Sequence, residues 1–159
     1  MPYLALKTIH VLAVVIFLGN ITVGAFWKAY ADRTGKPAVM AHTIEGIIRA
    51  DRIFTIPAVI VLLLAGFAAA GVGRYPILQT GWILWGLGLF VISGVAFGPI
   101  ARAQRALLAI AGTGLQTTEQ QAAYEALSRR WNVYGTIATI APLAALVIMV
   151  IKPNLPAFR

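Results

Sequence analysis

Four stretches of the chain carry no Asp, Glu, Lys or Arg: Thr8 to Trp27, Ile53 to Gly73, Tyr75 to Ala101, and Trp131 to Ile151. Each reaches the roughly 20 residues that a helix needs to cross about 30 Å of hydrocarbon. Helix is the required form, because lipid offers backbone amides no partner and an open sheet edge would be stranded. The pattern predicts an all-α membrane protein: a four-transmembrane-helix bundle in one domain, residues 1–159, with spans at about 4–28, 52–72, 78–103 and 130–151.

The connections are unequal. Gly71, Gly73 and Pro76 mark a short turn between the second and third spans. Lys28 to Arg52 is longer and polar, and its central Gly35-Lys36-Pro37 reads as a helix stop followed by a fresh start. From Val39 to Arg49 apolar and polar residues alternate at helical spacing, so the second helix is expected to begin near Pro37, outside the bilayer. The third is expected to continue past its span to about Ala111, where Gly112 and Gly114 stop it. Thr117 and Thr118 stand at capping-box spacing before Gln120 and Gln121, and so restart a helix that feeds the fourth span. Both long connections thus extend beyond the membrane on one face. Asp51-Arg52-Ile53-Phe54, with Pro57 after it, is loosely echoed by Arg129-Arg130-Trp131-Asn132 with Pro142, as a parallel duplication of hairpins would leave.

Composition agrees with the pattern. The chain is 60% hydrophobic and 11% charged, against about a quarter charged in soluble domains. A chain this short cannot hide that apolar surplus in a core of its own. The net charge of +8 would suggest nucleic acid in a soluble protein, but here it follows membrane topology, and no nucleic-acid partner is expected. Lys28, Arg33, Lys36, Arg49, Arg52, Arg102, Arg105, Arg129 and Arg130 flank the long connections, whereas Lys7, Arg74, Lys152 and Arg159 lie opposite. The positive-inside rule makes the long connections cytoplasmic and both termini non-cytoplasmic. Lys7 and its apolar tract resemble the start of a signal peptide, yet the tract runs on to Trp27 without a small-residue cleavage site, so retention is expected. The absence of cysteine excludes thiolate metal sites, disulfides and cysteine nucleophiles.

Few residues offer chemistry. His10 shares a helix face with Ala13, Phe17, Asn20, Gly24 and Lys28. The small members of that face allow another helix to approach, so it should point inward. Two readings stand for it: an interhelical hydrogen bond, or the axial ligand of a b-type haem. His42 belongs to the other side of the membrane, on the order of 25 Å from His10 at 1.5 Å per residue, so an intrachain bis-histidine haem is not expected. Met149 lies at a better depth for a second contact, with packing as its alternative. Lys152 is similarly placed but would have to lose its proton to bind a metal. Asp51 and Arg52 at one cytoplasmic mouth, and Arg129 and Arg130 at the other, read as ion-paired interface charge. Alternatively Arg52, Arg129 and Arg130 form a basic clamp for haem propionates or a lipid headgroup. Trp82 and Trp85 near one interface, and Trp27 and Trp131 near the other, fit an aromatic belt. Asn20 and scattered Ser and Thr are the mid-membrane polar residues expected, so a relay of protons through acids is not.

Leu6-Lys7-Thr8-Ile9-His10-Val11-Leu12 with Gly19, then Asp51-Arg52-Ile53-Phe54-Thr55-Ile56-Pro57 and Gly66, then Arg130-Trp131, Pro142 and the closing Met149-Val150-Ile151-Lys152-Pro153, resemble a family of small bacterial integral membrane proteins, domain of unknown function 2269. The resemblance spans nearly the whole chain and rests on the order of these segments. More distantly, that family is similar to the copper-resistance membrane domain and to the bacterial membrane protoporphyrinogen oxidase, both with a first-helix histidine in a Lys-x-x-His-like setting. The resemblance implies a bacterial inner-membrane location and a role for His10, with haem b as the candidate cofactor. It does not carry catalytic activity over: the chain lacks the Met and His richness of copper transfer, and an equivalent of the oxidase's second ligand. The alternative is a non-enzymatic membrane partner, scaffold or small transporter without cofactor, working as a homo-oligomer or docking another membrane protein.

Overall fold

Backbone groups in hydrocarbon must be paired within their own segment, and the computed structural model, which describes residues 1–158, is helical almost throughout. Helix α1 spans Pro2–Thr34, α2 Pro37–Ala50, α3 Ile56–Val72, α4 Gly81–Gly112 and α5 Thr118–Ile151. Gly35 ends α1 in the left-handed conformation at φ 61°, and Pro37 opens α2 where its missing N–H costs nothing. The expected capping box forms at α5: Gln120 N–H donates to Thr117 Oγ1, and Thr117 N–H donates to the Gln120 side chain.

Between α2 and α3, Asp51–Thr55 forms one widened π turn, closed by the Ile56 N–H donating to the Asp51 carbonyl five residues back. Pro57, in the first turn of α3, is compatible with such a turn. It has no N–H for the carbonyl four residues earlier and its ring crowds that carbonyl. With the turn included, Pro37–Val72 is one continuous helix of 36 residues, and the four long helices run 32 to 36 residues. At 1.5 Å per residue each is about 50 Å long, well past the hydrocarbon thickness. The apolar portions lie toward the end that carries both termini; the polar portions extend at the opposite, hairpin end. The duplication echo does not reach local geometry, since α5 passes its own basic entrance without a widened turn.

The outer faces are what lipid requires. Leu64, Val95 and Val150 are 67%, 71% and 70% exposed, a surface that a soluble monomer would not display along every helix. Inside, small residues let backbones approach. Ala13, Phe17 and Leu18 of α1 pack on Ala58 and Leu62 of α3. Ala96 and Ala103 of α4 share one core with Ala138 of α5, and Ser93 Oγ donates to the Ala138 carbonyl at 2.7 Å. At the hairpin end, Met40 and Ile44 of α2 join Ile100, Leu107, Tyr124 and Trp131 in one core. Among the described residues α3 makes no close backbone approach to α4 or α5. The two hairpins are therefore joined at one end and splayed at the other.

Two polar networks fasten the joined end, and both correct the sequence reading. Lys28, expected as a flanking topology charge, is 1% exposed. Its Nζ meets Asp32 Oδ2 at 2.6 Å and Ser128 Oγ at 2.7 Å, while Tyr124 OH donates to Asp32 Oδ1 at 2.7 Å. That cluster ties α1 to α5. Trp131 leaves the expected aromatic belt to lie buried, with its ring centroid 5.1 Å from the Lys28 ammonium.

Asp51, expected to pair with interface arginine, is buried and has no cationic partner among the described residues. Neutral donors satisfy it instead: Thr55 Oγ1 at 2.9 Å, Gln104 Nε2 at 3.0 Å and, more weakly, Asn20 Nδ2 at 3.4 Å. Asn20 also donates to Thr55 Oγ1 at 2.8 Å. An acid and an amide thus join Asn20 inside the bundle, contrary to the expectation of scattered hydroxyls alone.

Replacing Asp51 with Ala would take the acceptor from the Gln104 and Thr55 donors, and a buried donor without a partner costs about 1–3 kcal/mol. Asp51→Ala is therefore expected to destabilise the protein by roughly 2–4 kcal/mol, and Asp51→Asn, which keeps one acceptor, by less. Denaturant unfolding in detergent followed by circular dichroism measures both. Equal stability of Asp51→Ala and the parent chain would show that this network fastens nothing.

Candidate functional site

The splay opens a cavity of about 720 Å³ between the hairpins, at the end that carries both termini. All four long helices contribute. Val14 and Phe17 come from α1, Leu62 and Gly66 from α3, Leu87 and Phe90 from α4, and Ala145 and Met149 from α5. Phe17 and Phe90 meet edge to face at 5.8 Å between ring centroids and close the deep end. Tyr3, Lys7, Tyr75, Trp82 and Lys152 line the other end. Tyr75 packs there against Tyr3 and Trp82 at 6.5 and 5.5 Å. The Lys152 ammonium stands 5.0 Å from the Trp82 ring centroid.

His10 lies in this wall with its Nδ1 2.8 Å from the Leu62 carbonyl oxygen. A carbonyl can only accept, so Nδ1 carries the hydrogen, and in the neutral form of the ring that leaves the lone pair on Nε2. The inward orientation is satisfied, and one of its two readings, the interhelical hydrogen bond, is present as geometry. That bond also leaves the second nitrogen available. Gly66 makes the arrangement possible: a Cβ at this position would stand 2.9 Å from His10 Nδ1 and 3.0 Å from Cε1. Gly86 does the same for Met149, whose Cε would lie 2.6 Å from an added Cβ. A methionine end can yield where an imidazole tied to a carbonyl cannot.

The structure brings His10 and Met149 to one cavity. It does not bring the arginines there. Arg52, Arg129 and Arg130 are exposed at the hairpin end, Arg129 at 4.0 Å from Glu125 and Arg130 over the Tyr134 ring at 5.9 Å. His42 is exposed on α2, also at that end. Among the described residues no three His, Asp or Glu side chains gather to hold a metal ion. Sequence reasoning missed the two seating glycines and the polar mouth. Gly66 stood within the recurring segments, but nothing along the chain says which side chain it faces.

Four apolar helices of membrane-crossing length, lipid-compatible outer faces and a buried polar interior define a multi-pass integral membrane protein. Residues 4–153 match the family model described as "Predicted integral membrane protein (DUF2269)", and the chain belongs to that family. No curated protein and no solved structure matches the chain.

Gly66→Ala is expected to displace the His10 ring and break its bond to the Leu62 carbonyl, since overpacking a tight site costs about 1–3 kcal/mol. With only two histidines in the chain, ¹⁵N spectra of histidine-labelled protein in nanodiscs resolve the effect. A fixed Nδ1–H tautomer should give way to averaged imidazole signals. An unchanged His10 signal would show that the ring does not depend on Gly66.

Proposed function

We propose that the cavity binds a tetrapyrrole, haem b in its iron form, with Nε2 of His10 as axial donor and Met149 as a further contact. One observation carries the reading: an imidazole whose other nitrogen is held by a backbone carbonyl, in the wall of an apolar cavity. A ligating histidine is typically oriented in this way, because the outer hydrogen bond selects the tautomer and turns the ring. The volume of about 720 Å³ lies within the roughly 300–1,000 Å³ of ligand sites. Lining by Leu62, Leu87, Phe90 and Leu146 suits a flat apolar macrocycle. Bound haem would supply one-electron chemistry; the chain would supply the ligand, the apolar walls and the exclusion of water. The role is a redox or haem-related one in the bacterial inner membrane, with both termini non-cytoplasmic, an orientation that the lysine and arginine bias supports. The cavity then faces the outer half of the bilayer.

A second reading has one observation in its favour. The helices project well beyond the hydrocarbon at the hairpin end, which suits a scaffold, small transporter or homo-oligomer without cofactor. The absorption spectrum divides the two. Protein produced with full haem supply should show a Soret band, and His10→Ala should lower haem affinity at least tenfold. A missing band in the parent chain, or an unaltered one in His10→Ala, refutes axial ligation. Stoichiometric capture of a membrane partner, lost on shortening Gly35 to Ala50, is the outcome that the second reading expects.

A further inference from the structure

All five acidic side chains of the chain lie between Asp32 and Glu125, in the parts that build the hairpin end. At the opposite end the cavity mouth carries Lys7 and Lys152. Neither has a carboxylate side-chain partner among the described residues. Both lysines are exposed, whereas the walls below them are apolar. Lys7 precedes His10 by three residues, so it stands on the same helix face about one turn above the imidazole. Lys152 comes to the mouth from the end of α5, and its ammonium lies against Trp82. Two cations thus flank the opening of an apolar slot whose deep end is closed by aromatic rings.

We propose that Lys7 and Lys152 form a carboxylate subsite, so that the ligand of this cavity is a tetrapyrrole dicarboxylate entering ring first with its acid groups held at the mouth. This rests on the tetrapyrrole reading of the cavity but not on iron or on His10. Charge complementarity favours the occupant: an apolar body meets the walls while the acids stay at the wet rim, where lysine ammonium groups donate charge-assisted hydrogen bonds. It also moves the anion contact away from Arg52, Arg129 and Arg130, which stand exposed at the hairpin end.

The test uses metal-free protoporphyrin and its dimethyl ester, titrated by fluorescence into the full chain in phosphatidylcholine nanodiscs. The parent chain should bind the diacid about tenfold more tightly than the diester, as two rim-exposed ion pairs would give. Lys7→Gln with Lys152→Gln should abolish that preference and leave diester affinity unchanged, which also reports an intact cavity. Lys7→Arg with Lys152→Arg should restore it. Equal affinity for both probes in the parent chain overturns the proposal, as does a preference that survives in the double Gln variant. Replacing a third of the lipid with phosphatidylglycerol tests the competing occupant. Loss of the diacid preference in the parent chain under that condition would assign the lysines to lipid headgroups and overturn the proposal as well. His10→Ala keeps the two readings apart. Diacid preference retained without haem ligation sinks only the axial role, and haem bound through His10 without diacid preference sinks only this subsite.

Discussion

A carboxylate inside a membrane bundle is tolerated only if its surroundings replace the water it gave up, and Asp51 sets this structure's terms. Its oxygens accept from Thr55 on its own helix and from Gln104 on α4, with Asn20 of α1 closing the ring of donors. Three chain segments must meet at one depth for that to happen. Further along α1 the Lys28–Asp32 pair draws in Ser128 and Tyr124 of α5. Each hairpin is thus tied to the other by polar groups that cannot separate without stranding a charge. Among the described residues no such polar tie joins the hairpins at the opposite end, and Phe17 against Phe90 is the aromatic contact between α1 and α4 at the floor of the cavity. The cavity follows from this asymmetry: the bundle is locked at one end and left apolar at the other.

Much of the fold could be read along the chain because lipid punishes error. A charge-free stretch of span length has few other fates, and the Gly35-Lys36-Pro37 stop and the Thr117 capping box use only local geometry. The helices' extension past the spans was readable for the same reason. Charges near helix ends were harder. Lys28 and Asp51 stand in sequence among residues that do mark topology, and only their cross-helix partners, about 100 and 53 residues away along the chain, distinguish a buried clamp from a surface charge. At the candidate site His10 was visible as a lone inward-facing imidazole, and Met149 by its depth. The cavity itself was not, since it arises from the angle between two hairpins, which no periodicity encodes. The polar mouth stayed hidden because a lysine at a span's end usually reports an interface.

Between its poles the cavity sorts chemistry by depth. Aromatic rings close the bottom, an oriented imidazole stands in the wall, and tyrosines, a tryptophan and two lysines surround the opening. Gly66 and Gly86 thin the walls where the imidazole and the thioether need room. These features come from four different helices, so the site exists only in the assembled bundle.

The widened turn at Asp51–Thr55 also works as a phase shifter. Relative to regular α-helix it accommodates one extra residue, and one residue is about 100° of rotation around the axis. The face that α2 offers to α4 through Met40 and Ile44 is thereby turned away from the face that α3 offers to α1 through Ala58 and Leu62. A single continuous helix can then reach α4 at the hairpin level while it stays packed on α1 at both levels.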